Sequence, residues 1–93
     1  MEHNFYFDGK MQSIGFQSDK GEATVGVLEP GNYTVPTDCV EQLTILSGRG
    51  RVKVAEQGWK DIKTGDTFTL PPNVEVTWEI AHPNVCYFCL FPE

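Results

Sequence analysis

The side chains in this sequence that could do chemistry are few, and their spacing is informative. Glu41 opens the stretch Glu-Gln-Leu-Thr-Ile-Leu-Ser-Gly, which closes at Gly48 after six intervening residues. A carboxylate at the head of an apolar face can ligate a metal, hold sugar hydroxyls or offset a developing positive charge. A transition-metal site needs about three protein donors of suitable type. The segment ahead of Glu41 offers Val35-Pro36-Thr37, and the two histidines, His3 and His82, lie at the terminus and in a turn, where each reads as a surface residue. We therefore expect no bound transition metal and no cofactor. Cys86 and Cys89 match a Cys-x-x-Cys spacing. A redox pair gains its low thiol pKa at a helix N-terminus, whereas residues three apart on a strand face opposite sides. Buried structural cysteines are the better reading. Lys10 follows a turn and precedes Ser13 on a strand, so it could present an ammonium at a pocket, although an exposed lysine is the commoner outcome. Arg49, Arg51 and Lys53 share one strand face and read as a solvated outer surface. Trp59 and Trp78 read as core or rim packing, with one able to stack on a ring-shaped ligand.

These residues must be positioned by strands. Short β-rich runs alternate with Gly, Pro and Asn punctuation throughout, and no stretch reads as a helix. Phe5–Phe7 suggests a short edge strand or arm. Lys10–Gln17 places Ile14 and Phe16 on one face, with Met11 and Ser13 on the other. Ala23, Val25 and Val27 alternate with Thr24 and Gly26, the pattern of a half-buried strand. Tyr33 and Val35 share a face in a strand that Pro36 ends or leaves at an edge. Glu41, Leu43 and Ile45 share another face, so if that face is the core Glu41 sits at the mouth or floor of an apolar cavity. Strands over 51–55, 59–62 and 67–70 follow. Val74, Val76, Trp78 and Ile80 give the clearest one-face-in alternation. The run Val85–Phe91 is apolar on both faces, which predicts a central strand or one buried between subunits.

Composition sets bounds on function. Ninety-three residues, 40% hydrophobic and 22% charged, predict one domain over 1–93 with an ordinary globular composition. A chain this short buries only about 60–65% of its unfolded surface, so pairing with a second copy would help stability. The net charge of −6 disfavours a nucleic acid polymer as partner, because phosphate backbones need a basic stripe. It leaves room for a small anion in a local pocket. No apolar run approaches the ~20 residues of a membrane span, and the N-terminus lacks the basic start and apolar core of a signal peptide. Three cysteines give no disulfide framework. These features predict a cytoplasmic protein without a membrane partner.

The two-part glycine pattern carries the fold expectation. Gly31, Glu41 and Gly48 resemble the first cupin motif, and Gly65 followed by Pro71 resembles the start of the second. In an all-β chain of this length they favour a cupin-like double-stranded β-helix, a jelly-roll barrel. Its usual His-x-His pair is missing ahead of Glu41, and Asn73 and Val76 stand where the second motif carries its Gly and His.

A narrower resemblance covers nearly the whole chain. Gly9-Lys10, Ser13-Ile14-Gly15-Phe16, Val25-Gly26-Val27, Gly31-Asn32-Tyr33-Thr34, Glu41 with Leu43-Thr44-Ile45, and Ser47-Gly48 resemble the small bacterial cupins of the pyrimidine/purine nucleoside phosphorylase family. The resemblance implies a metal-independent homodimer. It implies reversible phosphorolysis of purine and pyrimidine nucleosides by inorganic phosphate, giving free base and ribose 1-phosphate, the work of a pentosyltransferase. It implies no settled list of catalytic residues. Residue chemistry suggests Lys10 as the phosphate-holding cation with Ser13 or Thr44 assisting, and Glu41 as the group that binds ribose hydroxyls or stabilises the cationic sugar. Tyr33 or Tyr87 would stack on the base or donate to it. Two rivals are a non-enzymatic cupin module that binds a small sugar or nucleoside, and a metal-dependent cupin enzyme such as a sugar isomerase or dioxygenase. The missing ligands disfavour the second.

Overall fold

The computed structural model describes residues 1–92 and contains ten strands and no helix among them. The strands are β1 (Glu2–Tyr6), β2 (Met11–Ser18), β3 (Gly21–Leu28), β4 (Gly31–Pro36), β5 (Glu41–Ser47), β6 (Arg49–Val54), β7 (Trp59–Lys63), β8 (Thr67–Leu70), β9 (Glu75–Ile80) and β10 (Val85–Leu90). They form a six-stranded sheet in the order β1-β2-β3-β10-β5-β8 and a four-stranded sheet in the order β4-β9-β6-β7. All pairings are antiparallel. This is the cupin-like jelly roll, with the core between the two sheets.

Side-chain alternation builds that core from both sides. Val52, Val76, Trp78 and Ile80 of the smaller sheet meet Leu28, Leu43, Ile45, Leu70, Val85 and Tyr87 of the larger one, and all are buried. Strand β10 is central, as its two apolar faces predicted: it pairs with β3 on one side and β5 on the other. Strand β3 departs from the simple alternation reading. Its valines turn outward, leaving Val27 41% exposed, while Gly26 and Leu28 are buried. The cause lies on β10. Tyr87 is the register partner of Gly26, and a Cβ on Gly26 would stand 2.5 Å from the Tyr87 hydroxyl. The phenol therefore claims the inner surface of β3, and only a residue without a side chain fits beneath it.

Gly48 ends β5 with φ +104°, a conformation that L side chains rarely adopt. A side chain there would also run into the Asn84 carbonyl. The glycine spaced seven positions after Glu41 thus lets the chain turn sharply from the larger sheet into β6 of the smaller one. That crossing sets the inward face of β5.

Candidate active site

The larger sheet is two strands wider than the smaller, and its β1–β2 end overhangs. A cavity of about 1040 Å³ opens there. Its floor is the inner face of β1, β2, β3, β10 and β5, with Asn4, Ser13, Thr24, Tyr87, Cys89, Leu43 and Glu41 among the lining. Thr34, Val35 and Pro36 of β4 and Trp78 of β9 close it from the other sheet, and Asp38 and Cys39 come from the β4–β5 connection.

Glu41 is half-buried at the first position of β5, opposite Leu70 of β8. Burial raises its carboxyl above the ordinary value; the Cys89 thiol opposes this by donating to Oε1 at 3.6 Å, and nearby Asp38 adds to the rise. Cys89 is buried, and its own thiol is pushed up by burial and then by Glu41, so it remains a protonated donor. Tyr87 is buried too. Burial first, then Cys89, Glu41 and Tyr6, push its phenol well up, while Ser13 works in the other direction. Tyr87 is therefore a neutral hydrogen-bond donor across the working pH range. Ser13 is 5% exposed, and its hydroxyl accepts from the Asn4 side-chain amide at 3.4 Å, which leaves its own proton for Tyr87 or a ligand. The site thus gathers the Glu41 carboxylate, the Tyr87 phenol, the Cys89 thiol, the Asn4 amide and the Ser13 and Thr24 hydroxyls against an aromatic wall in which Trp78 stacks with Tyr87 at 6.4 Å.

The electrostatics are one-sided. Among the described residues the lining carries four carboxylates, Glu2, Glu22, Asp38 and Glu41, and no lysine, arginine or histidine. Nor are any three His, Cys, Asp or Glu side chains gathered as a metal ion would require. The residues present do not fit the resident metal of an ordinary cupin.

The structure brings Glu41, Ser13 and Tyr87 together and leaves the other three candidates outside the lining. Lys10 is exposed in the turn between β1 and β2, held only through its backbone to Phe7 and Glu29. Tyr33 is 4% exposed and packs in the core, and its hydroxyl donates to the Glu29 carbonyl at 2.8 Å. Thr44 follows Leu43 on β5 and so takes the opposite, outer face of the larger sheet. Several lining residues were not legible, Asn4 and Cys89 among them. Asn4 belongs to a strand predicted only for residues 5–7. Cys89 was expected merely to pack, because nothing local in sequence pairs it with a carboxylate 48 positions earlier.

Strand order, paired sheets and a cavity on the inner face beside β5 define the cupin class. A cupin-2 domain from Rhodospirillum rubrum shares the fold, with a TM-score of 0.72 at 19% identity over 86% of this chain and 57% of that one. The chain belongs to the pyrimidine/purine nucleoside phosphorylase family, whose pattern it matches over residues 1–91. A relative from Yersinia enterocolitica that carries this name is 39% identical over 93 residues, covering 98% of this chain and 97% of the relative. A solved structure from Vibrio parahaemolyticus, described as a protein of unknown function, superposes with a TM-score of 0.87 at 30% identity, covering 95% and 94% of the two chains.

Proposed function

We propose that this protein is a metal-independent nucleoside phosphorylase acting on purine and pyrimidine nucleosides. The observation that carries the reading is the convergence of a half-buried carboxylate, a neutral phenol and a buried hydroxyl in one cavity. At about 1040 Å³ it can take a nucleoside with phosphate beside it. The family names of the relatives support the same reaction.

In this mechanism a phosphate oxygen attacks the anomeric carbon. The C–N bond breaks with both electrons leaving on the base, and the sugar passes through an oxocarbenium-like state. Glu41 accepts from ribose hydroxyls and offsets the developing positive charge. Tyr87 donates to the departing base, whose ring stacks along the Trp78 side. With Lys10 outside the lining, phosphate is held by neutral donors, Ser13 and Asn4 foremost. Stacking tolerates any planar base, which accords with a broad substrate range.

The protein pairs as a homodimer through the outer face of the larger sheet. Phe5 is 60% exposed there, Ile14 40%, Val27 41% and Leu46 47%. The outward positions of β2, β3, β10 and β5 carry no Lys, Arg, Asp or Glu, so a second copy of the same face meets no unpaired charge. The three cysteines are free thiols, the state that a reducing cytoplasm maintains.

One observation favours a rival. Four carboxylates and no basic side chain in the described lining suit a neutral polyhydroxylated ligand better than a phosphate dianion. A binding module without turnover would have such a pocket. Incubating purified protein with uridine or adenosine separates the two, with and without phosphate and with a chelator. Free base that forms only with phosphate, and persists with the chelator, supports the phosphorylase. Ligand binding with no base released from any nucleoside would establish the binding module instead.

A further inference from the structure

Cys89 has no part in the mechanism above, yet it is the sole side chain among the described residues that donates a hydrogen bond to Glu41. The geometry follows from sheet register. Cys89 pairs with Leu43 across the β10–β5 ladder, and Glu41 stands two residues before Leu43 on the same inner face. The two side chains therefore rise from the sheet as diagonal neighbours. Both line the cavity.

We propose that Cys89 is the positioning residue for Glu41, its S–H fixing Oε1 so that Oε2 stays turned to the cavity as the acceptor for substrate. This deepens the phosphorylase reading and rests on it for the identity of that substrate. No lysine, arginine or histidine of the lining is there to hold the carboxylate, and Oε2 accepts no hydrogen bond from the described residues. A freely rotating carboxylate would have to be ordered each time substrate binds. The thiol removes that cost without neutralising the charge. It acts as a donor and not as a nucleophile, because burial and Glu41 itself keep it protonated.

The other titratable groups of the lining are placed differently. Asp38 and Cys39 approach from the β4–β5 connection, Glu22 from β3, Tyr87 from β10, and Glu2 and Tyr6 from β1. Leu70, its partner on β8, carries nothing that titrates. Burial and then Asp38 disfavour the Glu41 charge, and the Cys89 thiol is the group that opposes them.

The test uses Cys89→Ala and Cys89→Ser in the full chain, with two readouts. In ligand-free protein with ¹³C-labelled glutamate, the Glu41 carboxyl resonance is identified by its loss in Glu41→Gln and titrated. Cys89→Ala is expected to move its midpoint to higher pH, because the donor that favours the charged form is gone. Cys89→Ser, whose hydroxyl is a stronger donor, should titrate at or below the wild-type midpoint. In phosphorolysis assays the acid limb of kcat/KM should move in the same directions, and Cys89→Ala should raise the nucleoside KM. A folded Cys89→Ala protein whose Glu41 midpoint coincides with wild type overturns the proposal. Should the alanine variant fail to fold, a serine variant that titrates above wild type overturns it equally. The resonance experiment needs no turnover. A wild-type protein that releases no base would therefore refute the reaction while the midpoints still decide the role of Cys89.

Discussion

Glu41 and Tyr87 show how one cavity assigns opposite protonation roles to its groups. Glu41 titrates above its unfolded value, chiefly because it is half-buried. Folding therefore favours its protonated form. That contribution is complete below the unfolded pKa and is lost as pH rises through the folded one, so at neutral pH the ionised carboxylate weighs against the fold. Glu41→Gln should accordingly raise the melting temperature at neutral pH, with the gap to wild type closing in acid. The same substitution should lower kcat by about 10²–10³-fold, as loss of a preorganised charge does elsewhere. Thermal melts across pH and steady-state assays on one preparation check both halves. Tyr87 depends on the residue beneath it. Gly26→Ala puts a methyl group 2.5 Å from the phenol oxygen, so either the ring or β3 must move. We expect a loss of about 1–3 kcal/mol in urea unfolding, together with reduced activity; a variant as stable and as active as wild type would refute the packing argument.

At the scale of elements, the β4–β5 connection carries Asp38 and Cys39 to the cavity rim and must be held still. Thr37 does this. It is 3% exposed, and its hydroxyl donates to the Pro71 carbonyl at 2.7 Å while accepting from the Val74 N–H at 3.1 Å. Its backbone bonds Val74 and Asn73 as well, which ties this connection to the one between β8 and β9. In the sequence, Thr37 was notable only as part of the segment lacking histidine. Thr37→Val keeps the shape and removes the hydroxyl, leaving the Val74 N–H without that partner. We expect it to cost about 1–3 kcal/mol and to raise the nucleoside KM more than it lowers kcat, readable from urea melts and initial rates. On the outer face of β6, Arg51 donates to Glu79 and lies 4.3 Å over the Trp59 ring. This matches the solvated basic face read from alternation.

At the scale of the whole molecule, the two faces of the larger sheet divide the work. The inner face makes the core and the cavity, and the outer face exposes Phe5, Ile14, Val27 and Leu46 with no Lys, Arg, Asp or Glu at the outward positions of β2, β3, β10 and β5. Ile14→Glu or Val27→Glu would bury a charge from each copy in the apolar contact of a symmetric pair. Sedimentation should then show monomers where the wild type sedimented as a dimer. A wild type that is monomeric at high concentration would remove the proposed interface altogether. A chain of this size gains from such pairing, since alone it buries a smaller share of its unfolded surface than a larger domain does.

Local sequence determined what local physics controls. Alternation at period two, broken by Gly, Pro and Asn, fixed an all-β chain and the bounds of β5, and put Glu41, Leu43 and Ile45 on one face. Missing histidines were legible because a ligand set is a matter of residue type. Partners across the sheet were not legible, since register joins residues far apart in the chain. The structure alone decided that Cys89 meets Glu41, that Tyr87 lies over Gly26 and turns the β3 valines outward, and that Lys10, Tyr33 and Thr44 stand apart from the cavity. The cavity itself follows from six strands stacked on four. Strand count and order are set by long-range pairing, so Glu41 gained its surroundings only when the sheets closed.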